Sequence, residues 1–187
     1  MKKFVFLLVI FCVFFAVPTK AQKDSILTQF ELTIPANFNY DAEISKMMKL
    51  ARQDNDPVYD YSSTLTSINF PKNEMLTPGV TYLVKILAIG FGNIEGQNCL
   101  NRLPKNIILP GLYGLLVTYK LNSDQIPKDR FIYSFDQGNN LGNNGNINIP
   151  CIYPNKKDKD YTFSVGTLPY YLRMYPCVLI FYEKKAT

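Results

Sequence analysis

The chain has 187 residues, 47% of them hydrophobic and 19% charged. That suits one ordinary domain with a core and excludes a disordered or collagen-like chain. His and Trp are both absent, which excludes Ser-His-Asp and Cys-His catalysis, His-ligated zinc and a His-based pH switch, but leaves carboxylate chemistry open.

The formal net charge of +5 is weighted toward the N-terminus. Lys2 and Lys3 precede an unbroken apolar run of fourteen residues, Phe4 to Val17, followed by Pro18, Thr19, Lys20 and Ala21. This basic, apolar, polar order predicts a signal peptide over residues 1–21, cleaved after Ala21. The run is shorter than the roughly 20 residues of a membrane span. Cys12 lacks the small residues that precede a lipid-modified cysteine. The Lys-Ala-Gln at the junction resembles export signals of Gram-negative bacteria. The segment holds three of the 20 basic residues and no acid, leaving 17 basic against 15 acidic groups. Lys156, Lys157 and Lys159 are interrupted by Asp158 and Asp160, so no coherent positive face forms and no nucleic-acid partner is expected. The expectation is an exported protein, periplasmic, cell-surface or secreted, with no transmembrane segment after cleavage.

Residues 22–76 read as a strand, a helix and a polar loop, either an extension or part of the core; residues 77–187 read as the main domain. Phe30, Leu32 and Ile34 alternate with Gln29, Glu31 and Thr33, which predicts a strand over Ser25 to Ile34 that Pro35 ends. Asp41 is placed as a helix N-cap, and Ile44, Met47, Met48 and Ala51 recur at helical spacing. Asp54 to Pro71 is polar and loop-like. Thr77-Pro78-Gly79 marks a turn. Val80 to Ile89 is apolar on both faces, as in a central strand. Glu95 to Leu103 reads as a short helix showing Cys99, Leu100 and Leu103, stopped by Pro104. Leu112, Leu115, Leu116 and Tyr119 favour a helix from Pro110, although Leu115 to Leu121 also fits a strand. Arg130 to Phe135, Ile149 to Tyr153 and Tyr161 to Gly166 are short strands. Cys177 to Tyr182 is an apolar run of the buried-strand type. The fold class is α+β: two or three helices with a mostly antiparallel sheet of short strands.

Several residue groups suggest chemistry. Asp54, Asp56 and Asp60 cluster, but the Gly and closing Glu of an EF-hand loop are missing, so a solvated acidic loop is the reading. Cys151 has no His to activate it as a nucleophile. Asn143, Asn144 and Asn146 lie in a Gly/Asn-rich loop whose amides suit sugar coordination. Tyr170, Tyr171, Arg173 and Tyr175 lie between Pro169 and Pro176. Tyr and Arg give large contact area with a polar tip, and flanking prolines limit the entropy lost on binding. No cofactor is implied.

From Val80 onward the order of elements resembles a C-type-lectin-like domain, and also a group of small bacterial proteins. The residues that carry the resemblance are Tyr40-Asp41-Ala42-Glu43, the strand Tyr82 to Ala88, Glu95 to Leu103, Ser134-Phe135-Asp136, Ile149-Pro150 and Cys177 to Tyr182. The core Trp residues of such domains are absent. Tyr153-Pro154-Asn155 stands where the calcium-dependent members carry Glu-Pro-Asn or Gln-Pro-Asp, so no calcium–sugar site is expected. The resemblance implies a Cys99–Cys177 disulfide, worth roughly 4 kcal/mol on the chain-entropy model, with Cys151 left over. The expected function is a non-enzymatic binding module for a protein or cell-surface glycan. The alternatives are a periplasmic inhibitor or immunity-type protein that blocks a hydrolase, and a carboxylate-based hydrolase.

Overall fold

The computed structural model describes residues 24–53, 66–89, 96–136, 147–154, 161–168 and 178–185. Its strands are β1 (Ser25–Thr33), β2 (Thr81–Ala88), β3 (Ile132–Tyr133), β4 (Ile147–Pro154), β5 (Tyr161–Leu168) and β6 (Val178–Lys184). Its helices are α1 (Tyr40–Gln53), α2 (Gly96–Asn101) and α3 (Gly111–Asn122), with a 3-10 turn at Ser123–Gln125. The protein is α+β, and its six-stranded sheet runs β1-β2-β6-β3-β4-β5. Neighbouring strands are antiparallel except β3 and β6, which run parallel at Tyr133 and Leu179.

The sheet separates two cores. On one face Tyr82, Val84 and Ile86 of β2, Ile180 and Tyr182 of β6, Ile132, Ile152 and Phe163 meet Ile44 of α1 and Leu112, Tyr113, Leu115 and Leu116 of α3. Leu32, Ile34, Tyr40, Phe70 and Leu76 belong to that same cluster. On the other face Leu87, Leu179, Phe181, Tyr133, Cys151 and Ile149 are covered by Cys99, Leu100 and Leu103, then by Ile107 and Leu109. The alternation of faces along each strand is the period of two that the pleat imposes.

Three expectations need correction. Asn39, not Asp41, caps α1: its side-chain oxygen accepts from Ala42 N at 3.1 Å and its carbonyl from Glu43 N at 3.1 Å. The helix therefore begins two residues earlier, and Asp41 becomes an acid in its first turn. Next, β4 runs from Ile147 through Pro150 instead of starting at Ile149. Pro150 is tolerated inside it because β3 has ended by that point, while the Pro150 carbonyl still accepts from Ser134 N at 2.9 Å. Finally, β3 keeps only two residues of the strand expected over Arg130 to Phe135. Past Tyr133 the chain turns toward α3, and Phe135 O accepts from Gly111 N at 2.8 Å.

The preference for helix over strand at Pro110 is met by α3, whose residues Gly111 to Thr118 are all buried. A helix apolar on every side must be enclosed, and the first two turns of α3 are, while Lys120 and Leu121 in its last turn are exposed. The side chains of Met47, Met48 and Ala51 lie outside the described residues.

Candidate functional site

Strand register places one end of the sheet in common to several features. Ile147 pairs with Leu168 where β4 begins and β5 ends. Antiparallel pairing of β3 with β4 brings Asp136, just beyond β3, to that same end. The end of β6, the start of β2 and the end of β1 are there too, with Tyr82 opposite Lys184 and Thr33 opposite Thr81. Asn143, Asn144 and Asn146, and Tyr170, Tyr171, Arg173 and Tyr175, lie outside the described residues. The described residues that flank the two groups, Ile147 and Leu168, are register partners.

The head of α3 stands at this end. Pro110 precedes the helix and offers no side-chain cap. Gly111 follows with φ +61°, and a Cβ on it would lie 2.6 Å from Asp136 Oδ2. Glycine thus meets two demands here: a left-handed backbone and close approach of a carboxylate. That carboxylate suits the positive end of the helix dipole. Ser134, fully buried, donates from Oγ to Gly111 O at 2.7 Å.

Four buried tyrosines lie around the helix head. Tyr182 OH donates to Gly114 O at 2.8 Å. Its single proton is thereby used, so the Thr118 hydroxyl, 2.6 Å away, donates to it. Tyr82 OH donates to Met75 O and accepts from Thr77 N, both at 2.9 Å. Tyr40 OH donates to Phe70 O at 2.7 Å. The hydroxyl of Tyr113, a residue 0% exposed, has no hydrogen-bond partner among the described residues. The rings of Phe38 and Tyr40 meet Tyr113 edge-on at 5.6 and 5.3 Å, and Lys72 Nζ lies 5.1 Å above its centroid.

Burial, first of all, pushes the pKa of the Tyr40 phenol up, reinforced by the charges of Asp136 and Asp41. Burial also raises Tyr113, helped by Tyr82. It raises Tyr182 against the opposing Thr118 hydrogen bond. All three phenols stay protonated at ordinary pH; Tyr40 and Tyr182 use that proton to donate a hydrogen bond, and none of the three is poised as a general base.

A second polar group joins α1 to α3. Glu43 is 7% exposed, and its Oε1 accepts from Lys120 Nζ and from Lys46 Nζ at 3.1 Å. The Lys120 hydrogen bond, then that of Lys46, hold its carboxyl below the usual range against the cost of burial. Lys120 also lies 5.7 Å over the Phe38 ring.

Cys99 and Cys151 are both buried in the second core. Cys177, the other half of the implied disulfide, lies outside the described residues, as do Asp54, Asp56 and Asp60. Among the described residues no three His, Cys, Asp or Glu side chains gather as a metal site, and no helix is long and apolar enough to cross a membrane.

Sequence reading passed over the tyrosine group and the Gly111–Asp136 contact. The one visible signal was tyrosine inside otherwise apolar runs: Tyr82 in β2, Tyr113 in α3 and Tyr182 in β6. A phenol in such a run must find a buried partner or go without one. No family model, curated protein or solved structure matches the chain.

Proposed function

We propose that this protein is an exported, non-enzymatic binding module that recognises a protein or a cell-surface glycan. The observation that carries the reading is the pairing of Ile147 with Leu168. It ties the Asn-bearing segment before β4 and the Tyr/Arg-bearing segment after β5 to adjacent positions at one sheet end. Two segments rich in contact-forming side chains, anchored side by side on a rigid sheet, are how binding surfaces are commonly built. The C-type-lectin-like resemblance belongs to the same proposal. It is supported by β2 and the closing strand β6, which lie antiparallel along Tyr82 to Ala88 and bracket the helices and short strands between them.

The test compares the chain from Gln22 onward with a variant carrying Tyr170→Ala, Tyr171→Ala and Tyr175→Ala. Both are used as bait for cell-envelope extracts and on a glycan array. Loss of hot-spot tyrosines lowers affinity by about tenfold to a hundredfold or more. The ligand that wild type retains should therefore be lost by the triple variant. Undiminished binding by that variant overturns the assignment of the site.

A further inference from the structure

We propose that the segment Phe70 to Thr77 is a latch over the head of α3, which opens as a unit while the sheet stays folded. The segment is held mainly by side-chain hydrogen bonds. Tyr40 OH donates to Phe70 O, and Asn73 Nδ2 donates to Leu109 O at 2.7 Å. Asn73 Oδ1 accepts from Met75 N at 2.9 Å, and Tyr82 OH bridges Met75 O and Thr77 N. Its backbone bonds are Leu76 N to Asn73 O at 3.2 Å inside the segment and, at its two ends, Phe70 N to Thr66 O at 2.9 Å and Val80 N to Thr77 O at 3.2 Å. Phe70 and Leu76 are its two buried apolar anchors, and Leu76 Cδ1 reaches 3.0 Å from where a Gly114 Cβ would stand. Met75 is 44% exposed, so it adds little to closure.

A feature that favours opening lies against this segment: Lys72 stands over the ring of Tyr113. With the latch closed, the Tyr113 hydroxyl is buried and finds no hydrogen-bond partner among the described residues. An unmade hydrogen bond of this kind penalises the closed form directly. Opening returns the hydroxyl to water and frees Lys72 from the ring face, while the ladders of β2 with β1 and β6 are untouched. Few backbone bonds, two anchors and one uncompensated group place this segment at the low end of the local-stability range. Its opening would alter the surface at the sheet end that Asp136, Ile147 and Leu168 mark.

Native-state hydrogen exchange at low denaturant tests the latch. The reporters are the amides of Met75, Leu76 and Thr77; the references are Val84 and Ile86 in β2. The reporters should exchange faster than the references, with a shallow dependence on denaturant, because a partial opening exposes little surface. Tyr113→Phe keeps the ring and removes only the hydroxyl. It should slow the reporters by about tenfold, the effect of relieving a buried unsatisfied group. Asn73→Ala should speed them by a similar factor. Reporters that merge with the β2 amides on one steep dependence would show that only global unfolding exposes them, and the latch would fall. It would fall equally if Tyr113→Phe left reporter exchange unchanged or faster, since the hydroxyl would then be indifferent to closure or would stabilise it.

Discussion

At the scale of single residues, the two described glycines with left-handed backbones make unequal demands. Gly79 has φ +79° with nothing within 4 Å of a built Cβ. It closes the turn before β2, donating to Ile34 O at 2.8 Å. An alanine there pays only for its backbone conformation, about 1 kcal/mol. Gly111 has φ +61° and, in addition, the Asp136 carboxylate 2.6 Å from its Cβ position. Asp136 cannot retreat cheaply, because it follows Phe135, whose carbonyl accepts from Gly111 N itself. Gly111→Ala should therefore cost at least about 2 kcal/mol, more than Gly79→Ala. Urea midpoints of the two variants, taken at equal slope, check the order. Equal shifts would mean that the carboxylate contact adds nothing.

At the scale of elements, α1 and α3 are joined by a carboxylate whose charge matters. Glu43 sits at the start of one helix and Lys120 near the end of the other, which suits both helix dipoles. Lys120 and Lys46 lower the Glu43 carboxyl in the folded protein. The sign follows directly. Its stabilisation is fully present above the ordinary carboxylate range and is lost as pH falls through the lower folded value. Wild type should lose stability between about pH 5 and about pH 3, and Glu43→Gln should lose less over that window. Urea midpoints at the two ends of the window measure the difference. Identical losses in the two proteins would assign the acid sensitivity to other carboxylates.

The elements also show what the sequence could convey. Strands β1, β2 and β6 were legible because their apolar residues follow the pleat or fill both faces of a central strand. In α3 the same completeness of burial blurred the period, since a helix apolar all round reads like a strand. The Asn39 cap was missed because Asp41, two residues on, has the same capping chemistry. The sheet order and the gathering of Tyr40, Tyr82, Tyr113 and Tyr182 depend on contacts between distant parts of the chain, which no local period encodes.

At the scale of the whole molecule, the chain before Thr77 supplies part of the sheet and part of the first core. β1 pairs with β2 from Ser25 opposite Ala88 to Thr33 opposite Thr81. Leu32, Ile34, Tyr40, Ile44, Phe70 and Leu76 share a cluster with residues of α3 and β6. A chain beginning at Thr77 would leave β2, an apolar strand, as an open sheet edge and would strip part of the core on its buried face. Each fully buried large apolar side chain contributes about 1.5–3 kcal/mol, so losing six of them removes about as much as the total stability of a typical domain. The chain from Thr77 onward should therefore show no cooperative melt and should aggregate through the β2 edge. The chain from Gln22 onward should unfold in one transition. Circular dichroism melts and size-exclusion profiles of the two make the comparison. A cooperative, monomeric short chain would reduce β1 and α1 to an appendage. It would also detach the latch residues from the stability of the core, since Phe70 and Leu76 would be dispensable to the sheet they cover.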